Sequence, residues 1–288
     1  MNKKFKQSSA ILIVLLLLQS TLVYSNPFAR SETPKENKTL MVIDNEESTP
    51  LPNRFRIIHD LNMSGSKQFT PSQLPNIIKE INNPRLFIVD LRQESHGFIN
   101  DMAVSYHNNT IYPFECLNCK DTLIMEKNLF GRIKTGDDVN LHKVNGDFIK
   151  TIKAETIELE PDLAQKNNVN YELFAVKDGS IPVPTTVDRF VIFAKNVPEG
   201  SHVHFHCKEG EGRTTTFMSM YQIMHNSNNL SLDEILQQQI TAGGIDIVSD
   251  NPKRAAFVQQ FYNYVNANKE SNYSIPYSQW SLNETLAS

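Results

Sequence analysis

The chain has 288 residues, of which 40% are hydrophobic and 21% are charged, and its formal net charge at pH 7 is −4. Such a length and apolar content suit one large globular domain or a domain that carries an insertion. The nearly neutral balance excludes the broadly basic surface that favours nucleic acid or an anionic membrane as a partner, so any affinity for anions must be local.

The first 25 residues have the three parts of a secretory signal. Three lysines stand within the first six residues, residues 10–18 are all apolar, and Ser25 offers a small side chain at a cleavage site. The apolar run is short for a bilayer span, and no second run follows it. We therefore expect cleavage after Ser25 and an exported protein, periplasmic or secreted, without a stable membrane anchor.

The composition of residues 26–50, which are polar and rich in Ser, Thr, Pro and Glu, predicts a flexible leader before one structured domain over residues 51–288. Early in that domain, apolar residues at helical spacing predict a helix over residues 74–81. Residues 86–89 form a continuous apolar run that is typical of a strand buried on both faces. Residues 90–97 indicate a polar turn after that strand.

Residues 98–170 alternate short β-prone pieces with Asn, Gly and Asp clusters, which predicts a small β-rich insertion. Residues 171–176 then predict a strand, a loop with two prolines leads to a helix, and residues 201–206 predict the next strand. Two further helices follow: one begins with a capping box at Ser231, and the other begins at Pro252. This alternation indicates an α/β fold with a sheet covered by helices on both faces.

Three cysteines follow the predicted cleavage site, and an odd number in an oxidising compartment leaves one thiol unpaired. If Cys116 and Cys119 pair with each other, Cys207 stays free, as a catalytic cysteine would. Three buried thiols are the alternative. A zinc site at Cys116 and Cys119 would need two more ligands, for which His107 and His142 are poorly spaced, so we expect no metal. A thiol oxidoreductase built on the same pair lacks the surrounding βαβ pattern.

The strongest chemical signal is residues 204–214, HFHCKEGEGRT, which pass from a predicted strand through a loop into a helix. Five residues separate Cys207 from Arg213, enough to curl around a tetrahedral phosphate with backbone N–H groups pointing inward. Arg213 would hold phosphate oxygens with its planar fork, and the start of the helix adds positive potential. These surroundings favour the thiolate of Cys207 as a nucleophile; an inert phosphate or sulfate pocket is the alternative. The phosphate-binding loop also contains Lys208, Glu209, Gly210, Glu211 and Gly212, and the two glycines permit unusual backbone dihedrals.

Three further residues are candidates for catalytic roles near this loop. His206 either orients the thiolate through the backbone or packs in the core. The Thr214 hydroxyl either stabilises the leaving thiolate or caps the helix. Asp178 is expected to protonate the leaving oxygen and then activate water, and its alternative is a turn or helix-cap role. Asp188, the other possible acid, falls inside the predicted helix, where an exposed ion pair suits it better.

These residues resemble the protein-tyrosine-phosphatase-like inositol phosphatases of bacteria, the cysteine phytases, from about residue 51 to residue 280. Four motifs occur in the same order: LNMSGS at residues 61–66, VDLRQESHG at residues 89–97, the proline loop after Asp178, and the Cys207 loop with two threonines behind it. The resemblance implies a protein-tyrosine-phosphatase core with a small partial β-barrel inserted. It also implies hydrolysis of myo-inositol polyphosphates through a phosphocysteine, without a metal or cofactor.

The resemblance assigns site residues as well. Cys207 matches the nucleophile, Arg213 the phosphate-binding arginine, and Asp178 the general acid. Four residues match basic positions that contact the substrate phosphates, and each has a plain alternative as a solvated surface charge: Arg56, His142, Lys143 and Arg254.

The chain also departs from the family pattern. Ile181 stands where the family has a tryptophan in the acid loop, and a basic segment after Gly243 and Gly244 is missing or shortened. Glu209 and Glu211 add negative charge to the loop, and Lys208 partly offsets it. The remaining negative charge disfavours a heavily phosphorylated substrate. There are therefore two alternatives. One is a phosphotyrosine or phosphoinositide phosphatase on the same core, and the other is a catalytically weak module that binds phosphate esters.

Overall fold

The computed structural model describes residues 39–107 and 119–287, and this part of the chain is organised by two β-sheets. The predicted signal segment, residues 26–38 of the predicted leader, and Cys116 lie outside the described residues. Within the described residues, no helix is long and apolar enough to span a membrane.

The first sheet has five strands in the order β10-β4-β11-β3-β2. They are β2 (Arg56–Ile58), β3 (Met63–Lys67), β4 (Leu86–Arg92), β10 (Asn170–Val176) and β11 (His202–Cys207). All neighbours are parallel except β2, which pairs antiparallel with β3. The carboxyl ends of the four parallel strands therefore meet at one edge of the sheet, where α/β proteins place their ligands. Cys207 is the last residue of β11 and lies at this edge.

The described residues also form helices, some of which pack directly on the five-stranded sheet and others on those helices. They are α1 (Leu74–Ile81), α2 (Cys119–Phe130), α3 (Glu160–Lys166), α4 (Pro184–Asn196), α5 (Gly212–Met224), α6 (Leu232–Thr241), α7 (Ile247–Asp250), α8 (Pro252–Asn268) and α9 (Tyr277–Ala287). Because successive strand residues point to opposite faces, Val89 packs in one core with Phe190 of α4 and Phe217 of α5, while Ile88 packs in another with Leu74 of α1. The prediction of a strand buried on both faces is thus confirmed.

The second sheet has six strands in the order β8-β7-β1-β6-β5-β9. They are β1 (Leu40–Asn45), β5 (His96–Ile99), β6 (Met102–His107), β7 (Asp138–His142), β8 (Phe148–Lys153) and β9 (Ile157–Glu158). Ile99, Val104 and Leu141 of this sheet form a separate core with Leu129 and Phe130 of α2. The predicted β-rich insertion is confirmed, although it also contains the helices α2 and α3.

Two expectations for the amino-terminal half are wrong. Structure was expected to begin near Leu51, but β1 already lies within the segment interpreted as a leader. Its short apolar run becomes a strand because it pairs with β6 and β7 from distant parts of the chain. Residues 90–97 are also not a simple polar turn, since β4 continues to Arg92 and β5 begins at His96. The charged side chains in this stretch are buried and paired, which composition alone does not reveal.

The later elements follow their local sequence signals. The helices predicted before and after β11 and the strand β10 are confirmed, and α6 has the capping box between Ser231 and Glu234. The short helix α7 and the last helix α9 were not predicted. α9 packs on α4, where the backbone N–H of Ser278 donates to Asp188 Oδ1 at 2.9 Å. Asp188 therefore ties two helices together.

Candidate active site

The Cys207 loop, defined as residues 207–213, joins β11 to α5 and lies tightly against β3. Gly210 has a φ of 73°, and a Cβ there would come within 2.6 Å of the carbonyl carbon of Ser66. The backbone N–H of Gln68 donates to the carbonyl of Lys208 at 3.2 Å. Glycine at position 210 is thus required both by the left-handed backbone and by the close approach to β3.

The helix after the loop begins two residues earlier than predicted, at Gly212, and it also approaches β3 closely. At Gly65 of β3, a Cβ would lie 2.6 Å from Met218 Sδ and 2.8 Å from Thr214 Cγ2. Because Gly65 has no side chain, α5 can pack this closely against the sheet. This packing places the first turn of α5, with Thr214, directly behind the loop.

Cys207 is 3% exposed, and its sulfur receives a hydrogen bond from Thr214 Oγ1 at 3.1 Å. The Thr214 hydroxyl thus faces the sulfur, whereas the N-cap position is occupied by Glu211. Arg56 and Arg213 both have electrostatic interactions with Cys207. Burial lowers the pKa of Arg56 to about 10, and its electrostatic interaction with Cys207 opposes that change. The Cys207 sulfur thus has a hydroxyl donor and two guanidinium groups as its neighbours.

Arg213 is held in place by Glu94. Its Nη1 donates to Glu94 Oε2 at 2.7 Å and its Nη2 donates to Oε1 at 3.0 Å, while Nη1 also donates to the carbonyl of Val176 at 3.0 Å. Burial opposes ionisation of Glu94, but Arg213 and then Arg92 hold the pKa of that carboxyl well below its usual range. The sequence analysis included Glu94 in a motif without giving it a role, because nothing local links it to Arg213.

The predicted acid Asp178 comes to the same place from the loop between β10 and α4. Its Oδ1 lies 3.1 Å from Arg213 Nη2, and its side chain is 51% exposed. Asn251 at the start of α8 donates to the carbonyl of Gly179 at 3.2 Å and so supports this loop. The structure therefore brings together Cys207, Arg213 and Asp178, although 28 residues separate Asp178 from Cys207 in the sequence.

Two of the predicted substrate contacts, Arg56 and Arg254, lie against the loop and are buried. Arg56 donates to the carbonyl of Gly210 at 3.0 Å and to Thr215 Oγ1 at 3.3 Å. Arg254 pairs with Asp250 at 2.5 Å, and its guanidinium fills the space that a side chain at residue 212 would occupy. Both were treated as possible surface charges, and their burial excludes that alternative. Contact with a substrate stays a prediction for both.

The other two predicted contacts lie on the β7–β8 hairpin of the second sheet. The ring of His142 packs edge-on against Phe148, with 5.8 Å between the ring centroids, and Lys143 is exposed. His142 pairs with Val42 of β1, and two residues further along β1 the carboxylate of Asp44 contacts Lys208 of the loop at 3.1 Å. The β7–β8 hairpin thus lies beside β1, the strand whose Asp44 contacts the Cys207 loop.

Three buried arginines near the loop share one unusual feature. The Nε atoms of Arg56, Arg213 and Arg254 are each buried without a hydrogen-bond partner in the part of the chain that the structure describes. A buried donor without a partner costs about 1–3 kcal/mol. An oxyanion held in the loop is the kind of ligand that would satisfy such donors. The arrangement can therefore bind a tetrahedral oxyanion next to a nucleophilic sulfur.

The two carboxylates that the sequence places in the loop are paired at its exposed rim. Glu211 lies 2.5 Å from Arg54, and Glu209 lies 3.8 Å from Lys67. Their charges are therefore partly neutralised by neighbouring cations. Lys208, by contrast, is buried and reaches Asp44 of the second sheet, so it is not a rim cation.

His206 points to the opposite face of β11 from Cys207, because side chains alternate along a strand. Its Nε2 lies 2.6 Å from Glu160 Oε1, and Glu160 Oε2 accepts a hydrogen bond from Gln68 at 2.9 Å. His96 Nε2 lies 3.5 Å from Glu160 Oε2. No sequence pattern assigns a role to Glu160, or to His96 of the VDLRQESHG motif, since both become neighbours of His206 only in the folded chain.

Asp90, His96 and Glu160 bring one ligand-type atom each within 4.8 Å of one another, which is close enough for a metal ion. These atoms already form ion pairs, with His96 Nε2 at 3.2 Å from Asp90, and Tyr171 donates to the same Asp90 oxygen at 2.8 Å. Burial opposes a positive charge on His96, but Asp90 and then Glu126 raise its pKa well above the ordinary value. His96 thus already forms buried ion pairs with Asp90 and Glu126.

Cys119 is buried near β10 and forms no disulfide with Cys207, the other cysteine among the described residues. It accepts a hydrogen bond from Arg189 Nη1 at 2.6 Å and another from the backbone N–H of Ala175 at 3.3 Å. Cys116 lies outside the described residues, so pairing between the two cysteines and a zinc site there stay untested.

The chain is similar to several phytase-like proteins. The model of the PTP-like phytase family, described as "Inositol hexakisphosphate", matches residues 120–225. A solved PTP-like phytase from Bdellovibrio bacteriovorus is 32% identical over 85% of this chain and 95% of that chain, with a TM-score of 0.74. The PTP-like myo-inositol phosphatase from Mitsuokella multacida, solved with myo-inositol-(1,3,4,5)-tetrakisphosphate, is 26% identical over 87% of this chain and 48% of that chain, with a TM-score of 0.78. Effector protein hopD2 of Pseudomonas syringae pv. tomato is 24% identical over 77% of this chain and 52% of that protein.

The sheet, its covering helices and the Cys207 loop at a strand end define an α/β protein of the protein-tyrosine-phosphatase type with an inserted second sheet. The chain belongs to the PTP-like phytase family, which confirms the resemblance seen in the sequence. It spans about half the length of the Mitsuokella protein and of hopD2.

Proposed function

We propose that this protein is a cysteine-dependent phosphatase that hydrolyses phosphomonoesters of myo-inositol polyphosphates, with no metal or cofactor. The observation that carries this proposal is the Cys207 loop, against which lie three buried arginines whose Nε donors lack partners in the described chain, two of them interacting with Cys207 itself. Membership of the PTP-like phytase family supports the same chemistry.

In the first step, Cys207 Sγ attacks the phosphorus atom and the bond to the ester oxygen breaks, which leaves a phosphocysteine. Asp178 gives its proton to the departing alkoxide. In the second step, Asp178 takes a proton from water, the water oxygen attacks phosphorus, and the S–P bond breaks. Inorganic phosphate leaves, and the Thr214 hydroxyl, 3.1 Å from Sγ, stabilises the thiolate that returns.

The substrate class is proposed from the family and from the rim of the loop. The family model is described by inositol hexakisphosphate, and the Mitsuokella protein was solved with an inositol tetrakisphosphate. Lys143 on the β7–β8 hairpin is exposed, so its ammonium group is accessible to phosphates that are not being cleaved. Arg56, Arg254 and His142 complete the proposed set of substrate contacts. We propose in addition that the protein is exported, to the periplasm or beyond, after cleavage of residues 1–25.

Phosphate release from a panel of substrates tests the proposal. The panel contains inositol hexakisphosphate, less phosphorylated inositol phosphates, a phosphotyrosine peptide, a phosphoinositide and p-nitrophenyl phosphate. We expect the highest kcat/KM on an inositol polyphosphate. Cys207→Ser serves as the control, and it should lose turnover but still bind substrate, because serine forms no stable anion at working pH. A preference for the phosphotyrosine peptide or the phosphoinositide would replace the proposed substrate class, and binding without turnover by the unaltered protein would indicate a binding module.

A further inference from the structure

A group of buried ionisable side chains lies beneath the loop, on the side away from the substrate, and the proposed reaction does not use it. His206 is at its centre, and its ring packs edge-on against Phe69 with 5.2 Å between ring centroids. The ionisable groups around it come from several elements: Asp90 on β4, His96 on β5, Glu126 on α2, Glu160 on α3 and His204 on β11. Glu126 and Glu160 belong to the insertion, whereas His206 is the residue before the nucleophile.

The charges in this group divide into two sets. His96 has two carboxylates of its own, with Asp90 at 3.2 Å and Glu126 at 2.9 Å. Glu160 approaches His206 more closely than it approaches His96, at 2.6 Å against 3.5 Å. His204 uses its two ring nitrogens on Ser64 and Ser66, so it does not compete for Glu160. Glu160 is therefore the carboxylate partner of His206.

A buried carboxylate such as Glu160 is strongly unfavourable unless it is paired. Burial opposes its ionisation, but His206 first and His96 next hold the pKa of Glu160 below its ordinary value. Gln68 steadies the second oxygen. The carboxylate is thus ionised and fixed, and it lies 2.6 Å from the ring nitrogen of His206 that faces it. This buried ring belongs to the residue directly before Cys207, in surroundings where water does not screen charges.

We propose that Glu160 is a positioning residue for the phosphatase reaction, because its carboxylate holds the imidazole of His206 beneath the loop and thereby favours the thiolate of Cys207. The insertion thus contributes to the reactivity of the nucleophile as well as to the walls of the site. This proposal rests on the proposed role of Cys207 as the nucleophile, but it does not depend on which phosphate ester is the substrate.

The test measures the reactivity of Cys207 without any substrate. Iodoacetamide alkylation of the full chain is followed across pH, with the Cys207 peptide quantified by mass spectrometry so that the other two cysteines do not interfere. Glu160→Gln keeps the shape of the side chain but removes its charge. We expect the midpoint of the alkylation profile to move up by about one pH unit, because the imidazole of His206 would lose the carboxylate that holds it beneath the loop. At a pH below that midpoint, kcat/KM for p-nitrophenyl phosphate should fall about tenfold, since each pH unit changes the thiolate fraction by that factor.

Three variants separate this role from simple damage to the fold. Asp162→Asn alters an exposed carboxylate in the same helix and should leave the profile unchanged. Glu160→Asp restores the charge one methylene further away and should give an intermediate midpoint. The double variant Glu160→Gln with His206→Gln should be no worse than His206→Gln alone, because Glu160 acts through His206.

A folded Glu160→Gln protein with the wild-type alkylation profile would overturn the proposal, as would additive losses in the double variant. If Glu160→Gln does not fold, the ring ¹⁵N signals of His206 in the unaltered protein decide the question. Nε2 carrying a proton towards Glu160 supports the proposal, and a bare Nε2 refutes it. Since the alkylation test uses no ester, its failure is distinct from failure of the phytase activity.

Discussion

The two sides of the Cys207 loop hold charge in different ways. On the rim, Glu211 pairs with Arg54, and both side chains are more than 40% exposed. Behind the loop, the side chains of Glu94 and Arg213 are each 1% exposed and form two hydrogen bonds. An exposed pair is screened by water and salt and contributes little, whereas a buried pair becomes costly as soon as one partner is lost. We call the buried region behind the loop, with Glu94 and Arg213, the hidden side. We expect the hidden side to determine the stability of the protein and the geometry of the nucleophile, and we expect the rim to adjust substrate preference.

Asp178 lies between the two sides, because its half-exposed carboxylate also touches the buried Arg213. Asp178→Asn should lower kcat by about 10²- to 10⁴-fold, since the amide can neither give nor accept the proton. The pH–rate profile should lose the limb that reports the acid, while KM changes little. Steady-state kinetics on p-nitrophenyl phosphate check both effects. If the profile keeps its shape, another group is the acid.

Glu94→Gln tests the hidden side. Arg213 would then be buried with only the amide oxygen in place of the carboxylate, and we expect a loss of about 3–5 kcal/mol in the free energy of unfolding. Urea denaturation at neutral pH measures this loss. Glu211→Gln is the matched rim variant, and it should cost less than about 1 kcal/mol. Similar losses in the two variants would contradict the distinction between the sides.

Acid should destabilise the protein through the buried carboxylates around the loop. The pKa values of Glu94, Glu160 and Asp44 are held below their ordinary values despite burial, by Arg213, His206 and Arg92 respectively. A carboxyl whose pKa is lower in the folded state contributes stability above its unfolded pKa, and that contribution is lost as the pH falls towards the folded value. We expect the thermal midpoint to fall steeply below about pH 4, with little change between about pH 5 and pH 7.

In the Glu94→Gln variant the acid dependence should be shallower, because one of the three carboxyls is gone. Glu211→Gln should keep the wild-type slope. Differential scanning calorimetry across the acid range measures both. An acid dependence equal in all three proteins would mean that other groups control it.

The smallest effect is expected at the rim. Glu211→Gln should lower KM for inositol hexakisphosphate by about two- to fivefold at low salt, since an exposed charge contributes up to about 1 kcal/mol. Arg54→Gln, which leaves Glu211 unpaired, should raise KM. Both changes should fade at high salt, and p-nitrophenyl phosphate should show neither, as a small ester touches only the loop. Changes of the same sign in the two variants would show that the rim acts through shape and not through charge.

The parts of the molecule that the sequence predicts well are those determined over short distances. The capping box of α6, the helix stripes and the passage from β11 through the glycine-containing loop to α5 depend on neighbouring residues. Glu94 pairs with Arg213 across a sequence separation of 119 positions, and Glu160 reaches His206 from a helix inside the insertion. For the same reason, Arg56 and Arg254 had a plausible interpretation as surface charges. Only tertiary contacts reveal that they support the loop.

Gly65 takes no part in the proposed reaction, yet a side chain at this position would disturb the active site. A methyl group there would collide with Met218 and Thr214 and push the first turn of α5 away from β3. The hydroxyl of Thr214 would then withdraw from the sulfur, although every reactive residue would still be present in the sequence. A search for phosphatases by reactive residues alone would accept such a chain. A glycine in the LNMSGS motif is therefore a useful second criterion for distinguishing working members of this fold from inactive look-alikes.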